Sequence, residues 1–218
     1  DENGQGYIEG LAGLWCTGLG YGEERLIEAA TNAMRNLSYC HGFAHMAADT
    51  VIDLSEKLVG VAPDGISKVL YANSGSEATD LAVKLIWYYH NAIGKPEKKK
   101  IISRIKAYHG VTVAAASMTG LPHLHADFDL PIDRIKHTDC PHYYRFGLEG
   151  ESEEDFATRC AANLEQMILD EGPDTVAAFI AEPIMGAGGV LVPPATYFEK
   201  IQAVLKKYDV LLVADEVI

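Results

Sequence analysis

Cysteine is scarce in this sequence: only four occur among 218 residues, and they lie far apart along the chain. No C-x-x-C pair is present, so the sequence predicts neither a zinc ribbon nor a disulfide framework. We expect reduced thiols in a cytoplasmic protein. No apolar run approaches the roughly 18 residues of a membrane helix, and no signal peptide is predicted. A membrane partner is therefore not expected.

Positive charge is also in short supply. Lys and Arg total 18 against 31 Asp and Glu, which gives a formal net charge of −13. Nucleic-acid binding rests largely on cationic contacts to phosphates, so this partner class is excluded. A local pocket for one small anion is still possible. The apolar content of 48% is ordinary for a globular protein and predicts a folded core rather than disorder.

Several common site motifs are missing. The sequence contains no G-x-G-x-x-G, no G-x-S-x-G and no P-loop, since Pro96 interrupts the P-loop pattern after Gly94-Lys95. His123 and His125 have no third ligand at a suitable spacing, so no metal site is predicted. These absences argue against a dinucleotide enzyme, a serine hydrolase of the α/β type, a P-loop NTPase and a metalloenzyme.

Helical and strand patterns alternate along the chain. Helices are predicted at 23–37, 50–59 (with a capping box of Thr50 and Asp53), 76–92, 111–118, 153–170 and 195–208. Strands are predicted at 68–72, 100–105, 175–181 and 210–213, with a loop at 119–148. The later strands are continuous apolar runs, which is typical of strands buried on both faces. The predicted fold class is therefore α/β, a mostly parallel sheet flanked by helices.

Three motifs whose residues could bind a ligand or take part in catalysis follow predicted strands. Asn73-Ser74-Gly75-Ser76-Glu77-Ala78 leads into a helix whose free N–H groups could bind an anion, although an ordinary serine N-cap explains it equally well. Ala107-Tyr108-His109-Gly110 could stack on a flat ligand or simply pack within its own loop. Asp215 ends a strand, where it could hold Mg²⁺ as a Walker-B acid, pair with a protonated ring nitrogen, or face solvent. The Walker-B reading lacks the P-loop that it requires.

A fourth motif, Glu182-Pro183 with the glycines of 186–189, also follows a buried strand, and its alternative reading is a flexible loop. Ligands of open parallel sheets bind beyond the carboxyl ends of the strands. An anion cradle, an aromatic platform and an acid at that edge predict a site for a flat, phosphorylated N-heterocycle. Pyridoxal phosphate fits this description better than a dinucleotide does, because the dinucleotide fingerprint is absent.

The four motifs, in this order and rough spacing, resemble those of class III aminotransferases, which are pyridoxal-phosphate enzymes of fold type I. Residues 11–16, 20–22 and 192–197 resemble more narrowly the ω-amino acid:pyruvate branch, and the resemblance covers the whole chain. It implies an N-terminal segment at 1–48, part small domain and part dimer contact. It also implies a cofactor-binding large domain at 49–218, incomplete at its C-terminus.

The resemblance implies cofactor-binding roles for two of the motifs. Gly75 and Ser76 would hold the cofactor phosphate. Tyr108 would stack on the pyridine ring and contact substrate, with His109 beside it. One departure lies next to the first motif, where Thr79 and the following residue stand where many relatives carry Asn. It falls inside the helix and leaves the other roles unchanged.

The remaining roles come from the same resemblance. Asp215 would be the catalytic carboxylate that pairs with the ring nitrogen, and Val217 would pack on the opposite ring face. Glu182 would lie near the ring hydroxyl of the cofactor or near the substrate. Trp15 and Phe43 would line the amine-substrate pocket, partly across a dimer interface.

The activity that the resemblance implies is transfer of an amino group from a primary amine or ω-amino acid to a keto acid such as pyruvate, by ping-pong kinetics, in a homodimer or tetramer. The Schiff-base lysine and the carboxylate-binding arginine of the family are expected beyond Ile218, so these 218 residues alone are expected not to transaminate. Two alternatives stay open. One is another class III enzyme, an aminomutase or decarboxylase; the other is an inactive fragment of the fold.

Overall fold

The structure of the protein is a computed structural model that describes all 218 residues. The chain divides into two compact units, residues 1–70 and residues 71–218. The division that the sequence predicts, between residues 48 and 49, separates a dimer-contact segment from a cofactor-binding domain. This functional division stays a prediction. None of the helices combines the length and the apolar character that a membrane span requires.

The first unit contains three helices: α1 (Ala12–Trp15), α2 (Glu24–Leu37) and α3 (Asp49–Val61). None of their residues is buried, although apolar side chains recur along one side of α2 and α3. Helix α3 starts after Ala48 with no side-chain cap, so the predicted capping box is wrong. Thr50 already lies in the first helical turn, where its hydroxyl cannot serve as the N-cap.

The second unit is built on four parallel strands: β1 (Lys100–Arg104), β2 (Ile135–Thr138), β3 (Val176–Ala181) and β4 (Leu211–Ala214). Their order in the sheet is β2-β1-β3-β4. Every residue of the central strand β3 is buried, as expected for an apolar run covered on both faces. The predicted α/β class with a parallel sheet is confirmed.

Two parts of the strand prediction are wrong. Residues 68–72 form no strand, because no strand of the sheet pairs with their backbone. Conversely, β2 lies inside the predicted loop at 119–148. It pairs with β1 through contacts such as Ile101 with Ile135 and Arg104 with Thr138. Only the two end residues of β2 are buried, so its local pattern is weak and pairing with a neighbour creates the strand.

Helices cover both faces of the sheet. They are α4 (Gly75–Ala92), α5 (Val113–Met118), α6 (Tyr143–Phe146), α7 (Glu153–Glu171) and α8 (Tyr197–Lys207). A short 3-10 turn, Pro122–Leu124, also falls within the predicted loop.

The sheet separates two hydrophobic clusters. On one face, Ile102 of β1 packs with residues of α7 and α8, including Leu164 and Ile201. On the other face, its neighbour Ile101 packs with Val83 of α4. Successive strand residues point to opposite faces, so β1 supplies both clusters. Burying each such side chain stabilises the fold by about 1.5–3 kcal/mol.

Candidate active site

Helix α4 begins at the first motif, with Ser74 as its N-cap. The Ser74 hydroxyl accepts a hydrogen bond from the Glu77 amide at 3.2 Å, and Glu77 Oε2 accepts one from the Asn73 amide at 2.9 Å. The pair differs from a capping box, because Glu77 reaches the amide of Asn73, one residue before the N-cap, rather than that of Ser74. Gly75 and Ser76 are the first two helical residues, so their N–H groups have no partner within the helix and lie at its positive end. The predicted serine N-cap is confirmed; binding of an anion by the two N–H groups in the same motif stays a prediction.

A cavity of about 210 Å³ opens at this helix end. It is lined by Gly75, Ser76, Thr79, Tyr108, His109, Gly110, Asp215 and Val217. A second cavity, of about 250 Å³, shares Gly75, Thr79 and Asp215 with the first. Six residues predicted to bind a cofactor thus surround one space, although they come from three distant parts of the sequence.

Asp215 and His109 form a close side-chain pair at the cavity. Asp215 Oδ2 lies 2.8 Å from His109 Nδ1, with the imidazole side chain fully enclosed (0% exposed) and the carboxylate 24% exposed. The Asp215 amide donates to Ala181 O at 2.9 Å, which holds this residue beside the end of β3. Oδ1 of Asp215 accepts no hydrogen bond from the protein, so one carboxylate oxygen is available to a ligand.

The backbone of Tyr108 is fixed by Glu182, which is buried. Glu182 Oε1 accepts from the Tyr108 amide at 3.0 Å and Oε2 accepts from the Gly186 amide at 2.8 Å. Both carboxylate oxygens are therefore bound to backbone amides, one of which belongs to Tyr108. Glu182 does not line the cavity, and its predicted contact with a cofactor stays a prediction.

Hydroxyl groups join α4 to the loop that carries Tyr108 and His109. Ser76 Oγ accepts from the Val111 amide at 3.0 Å. Thr79 Oγ1 lies 2.6 Å from Gly75 O and 2.9 Å from His109 O, so this single hydroxyl donates to one carbonyl or the other. Thr79, noted in the sequence only as a departure, thus links the two halves of the site.

Thr119 is a further residue of the site that the sequence analysis missed. Its Oγ1 accepts a hydrogen bond from the His109 amide at 2.9 Å. Thr119 follows α5 in a stretch without strand or helix periodicity, so no local signal connects it with His109. Trp15 and Phe43, in contrast, lie in the first unit with 48% and 79% of their surface exposed, and their predicted roles stay predictions.

The comparison with known proteins decides the family. The family model for Aminotransferase class-III matches residues 1–218, the whole chain. The chain belongs to the class III aminotransferases. Its fold is the pyridoxal-phosphate-dependent fold type I, here as a partial domain, as the sequence motifs predict.

Similar class III enzymes include two plant proteins. A probable gamma-aminobutyrate transaminase 2, mitochondrial, of Oryza sativa subsp. indica is 59% identical over 100% of this chain, which covers 44% of that protein. A gamma aminobutyrate transaminase 3, chloroplastic, of Solanum lycopersicum is 56% identical over 100% of the chain and 42% of its own length.

Solved structures give the same family. A transaminase with L-ala is 62% identical with a TM-score of 0.97, over 100% of this chain and 51% of its own. The ω-transaminase from Pseudomonas jessenii in complex with PMP is 58% identical with a TM-score of 0.97, over 100% and 48% respectively. The chain spans about half the length of the class III aminotransferases that it matches.

Class III aminotransferases use pyridoxal phosphate, and the residues around the cavity fit this group. The N–H groups of Gly75 and Ser76 suit a phosphate. The free oxygen of Asp215 suits a protonated ring nitrogen. Gly110 keeps the cradle open, because a Cβ there would lie 2.5 Å from Ser76 Oγ.

Proposed function

We propose that the full-length protein transfers an amino group from a primary amine or ω-amino acid to a keto acid such as pyruvate, with pyridoxal phosphate as cofactor. One observation carries the proposal. The helix end at Gly75 and Ser76, the Tyr108 ring and the Asp215–His109 pair border the same cavity. Membership of the class III aminotransferases supports the same reaction.

The phosphate is bound, in this proposal, by the start of α4. Gly75 and Ser76 contribute N–H groups that have no partner in the helix, and the helix dipole adds positive potential there. The Ser76 hydroxyl already accepts from the Val111 amide, so its hydrogen is free to be donated to a phosphate oxygen. Tyr108 and Val217 line the same cavity and would enclose the ring between them.

When bound, pyridoxal phosphate supplies an electron sink for a substrate that loses its α-proton. Asp215 keeps the ring nitrogen protonated, because a nearby carboxylate favours the cationic form. His109 donates its Nδ1 hydrogen to Oδ2 of Asp215, which orients the carboxylate and leaves Oδ1 for the ligand. Glu182 accepts a hydrogen bond from the Tyr108 amide and so fixes the backbone from which the aromatic ring extends.

No lysine of this chain lines the cavity. The most buried one, Lys98, has its Nζ within 3.2 Å of four backbone carbonyls, those of Pro173, Val176, Tyr208 and Asp209, which share its three hydrogens. These contacts hold its ammonium at the opposite end of the strands. We therefore assign the lysine that binds the cofactor to the remainder of the full-length protein.

We further propose a cytoplasmic homodimer or tetramer in which Trp15 and Phe43 line the amine pocket near the subunit interface. The exposure of both side chains supports this part of the proposal, as does the lack of buried residues in helices α1 to α3. Several plant relatives carry mitochondrial or chloroplastic names, so cell fractionation is the direct test of location. An active monomer in sedimentation would contradict the interface role.

The test of the function is an assay of the purified full-length protein with γ-aminobutyrate or a primary amine, with and without pyruvate. Transamination predicts one alanine formed for each amine consumed, and no turnover beyond the first without a keto acid. Release of carbon dioxide would indicate a decarboxylase. Isomerisation of the amino acid without pyruvate would indicate an aminomutase. Either of these outcomes would contradict the proposal.

A further inference from the structure

The second unit contains several buried polar side-chain atoms without a hydrogen-bond partner, and three of them belong to His109, β1 and β2. These three are Nε2 of His109, Nε2 of His137 and Oγ of Ser103. Buried polar atoms nearly always have a partner, and a group of unpaired ones commonly marks the position of an ordered water molecule.

Ser103 and His137 lie side by side on one face of the sheet. They are direct partners in the parallel pairing of β1 with β2, so their side chains project in the same direction. Ile101, two residues before Ser103, packs in the same cluster as Met118 of α5. The unpaired atoms of Ser103 and His137 therefore both lie on the face of the sheet that α5 covers.

Thr119, directly after α5, connects His109 with His137. The His109 amide donates to Thr119 Oγ1 at 2.9 Å. On the other side, the His137 ring lies beside the backbone of Met118 and Thr119. Burial lowers the pKa of His137, and repulsion from His125 and, more weakly, from His109 lowers it further. The two rings are thus neighbours around one threonine.

The donors and acceptors at this place match a single water molecule. Nδ1 of His109 faces the carboxylate of Asp215, which can only accept, so the ring hydrogen of the uncharged imidazole lies on Nδ1 and Nε2 carries a lone pair. Nε2 of His137 has no partner in the protein, and the neutral tautomer with its hydrogen on Nδ1 leaves a lone pair there too. Ser103 offers a hydroxyl hydrogen. A water that donates to both nitrogens and accepts from Ser103 makes about three hydrogen bonds, the usual number for a buried water.

We propose that Ser103 and His137 hold a buried water molecule against Nε2 of His109. The contact between Asp215 and His109 then continues from the cavity through the water to β1 and β2. Ser103 and His137 are positioning residues: through the water they fix the ring of His109 and the tautomer that donates to Asp215. The effect on turnover rests on the proposed function, whereas the water site does not.

The first test is a crystal structure of the full-length protein at about 1.5 Å resolution, without substrate. We expect density for one water within about 3.2 Å of His109 Nε2, His137 Nε2 and Ser103 Oγ. An empty gap, or side chains that pair directly with each other, would overturn the proposal. This measurement does not depend on activity, so it separates failure of the water site from failure of the proposed function.

The second test uses matched variants. Ser103→Ala and His137→Leu should lower kcat by about three- to tenfold, the loss expected for one neutral hydrogen bond. The KM for the amine and the affinity for pyridoxal phosphate should not change. His137→Gln retains an acceptor and should recover part of kcat.

The control is His90→Leu, because His90 is also fully buried, with an unpaired Nδ1 and with Nε2 facing Ala177 O at the start of β3. This variant should lose stability and keep kcat. Normal kcat in both the Ser103 and the His137 variants, or an equal loss in the His90 variant, would overturn the positioning role.

Discussion

At the scale of single residues, Gly110 leaves the least room for change around the cavity. Its φ is +128°, and a Cβ would meet Ser76 Oγ at 2.5 Å and Ser76 Cα at 2.9 Å. We expect Gly110→Ala to push the start of α4 away from His109 and to weaken pyridoxal-phosphate binding by at least about tenfold. Titration of the cofactor-free full-length protein measures this loss.

The matched control for Gly110 is Gly94→Ala. Gly94 also has a positive φ, +76°, but a Cβ there meets nothing within 4 Å. It therefore carries the backbone strain without the collision. Equal cofactor affinities for the two variants would show that the collision with Ser76 does not weaken cofactor binding.

Glu182 gives a second prediction at this scale, because both of its oxygens accept backbone hydrogen bonds in the interior. Glu182→Gln replaces one acceptor with an amide donor that faces the N–H group of Tyr108 or Gly186. We expect the free energy of unfolding to fall by about 1–3 kcal/mol, the cost of an unsatisfied buried group. Denaturant unfolding measures the change, and an unaltered midpoint would argue against this contact.

At the scale of secondary-structure elements, an ion pair joins α7 to the segment before it. Arg159 contacts Glu151 through two hydrogen bonds of 2.7 and 2.8 Å, and it also donates to Phe146 O at 2.8 Å. The hydrogen bond from Arg159 is the main reason that the pKa of Glu151 falls to about 2. The folded state therefore keeps this carboxylate ionised at a pH where the unfolded chain binds a proton.

This ion pair predicts a dependence of stability on pH. The lowered pKa stabilises the fold above the ordinary glutamate value, and that contribution is lost as the pH falls from about 5 toward 2. Glu151→Gln should remove this part of the acid sensitivity in urea unfolding at pH 7, 4 and 3. Glu154→Gln is the control, since Glu154 is 68% exposed and its contact with Lys200 is 3.3 Å long. Identical acid profiles for the wild type and Glu151→Gln would contradict the role of the pair.

Sequence patterns predict an element correctly where its apolar residues in the sequence are the residues that are buried in the fold. Helix α7 ends within one residue of its prediction, because Leu164 and Ile168 belong to a continuous apolar stripe. Strand β3 is predicted correctly because all of its residues are buried, which the sequence shows as a continuous apolar run. Strand β2 was missed because its ladder with β1, and not its composition, makes it a strand. Such pairing joins residues that are distant in sequence and leaves no local periodicity.

At the scale of the whole molecule, the parallel sheet brings the main parts of the site together. Tyr108 and Asp215 could be placed at one edge from the sequence alone, because each follows a predicted strand that the structure contains. Ser76 was placed there by the predicted strand at 68–72, which does not form, so only its position at a helix start came from a correct pattern. The contacts between these residues could not be predicted. Thr79 reaches His109 across 30 residues, and the unpaired nitrogen of His137 matters only because β2 pairs with β1. Principles of strand order locate the site, whereas side-chain networks need the three-dimensional structure.

The most direct measurement is steady-state kinetics of full-length Asp215→Asn, together with its affinity for pyridoxal phosphate. The amide cannot keep the ring nitrogen protonated, so kcat should fall by at least about 1000-fold, whereas the phosphate cradle at Gly75 and Ser76 should hold affinity within about tenfold. Asp133→Asn, at an exposed position, should behave as wild type. Near-normal kcat in Asp215→Asn would contradict the assignment of this carboxylate to the ring nitrogen, and with it the proposed mechanism.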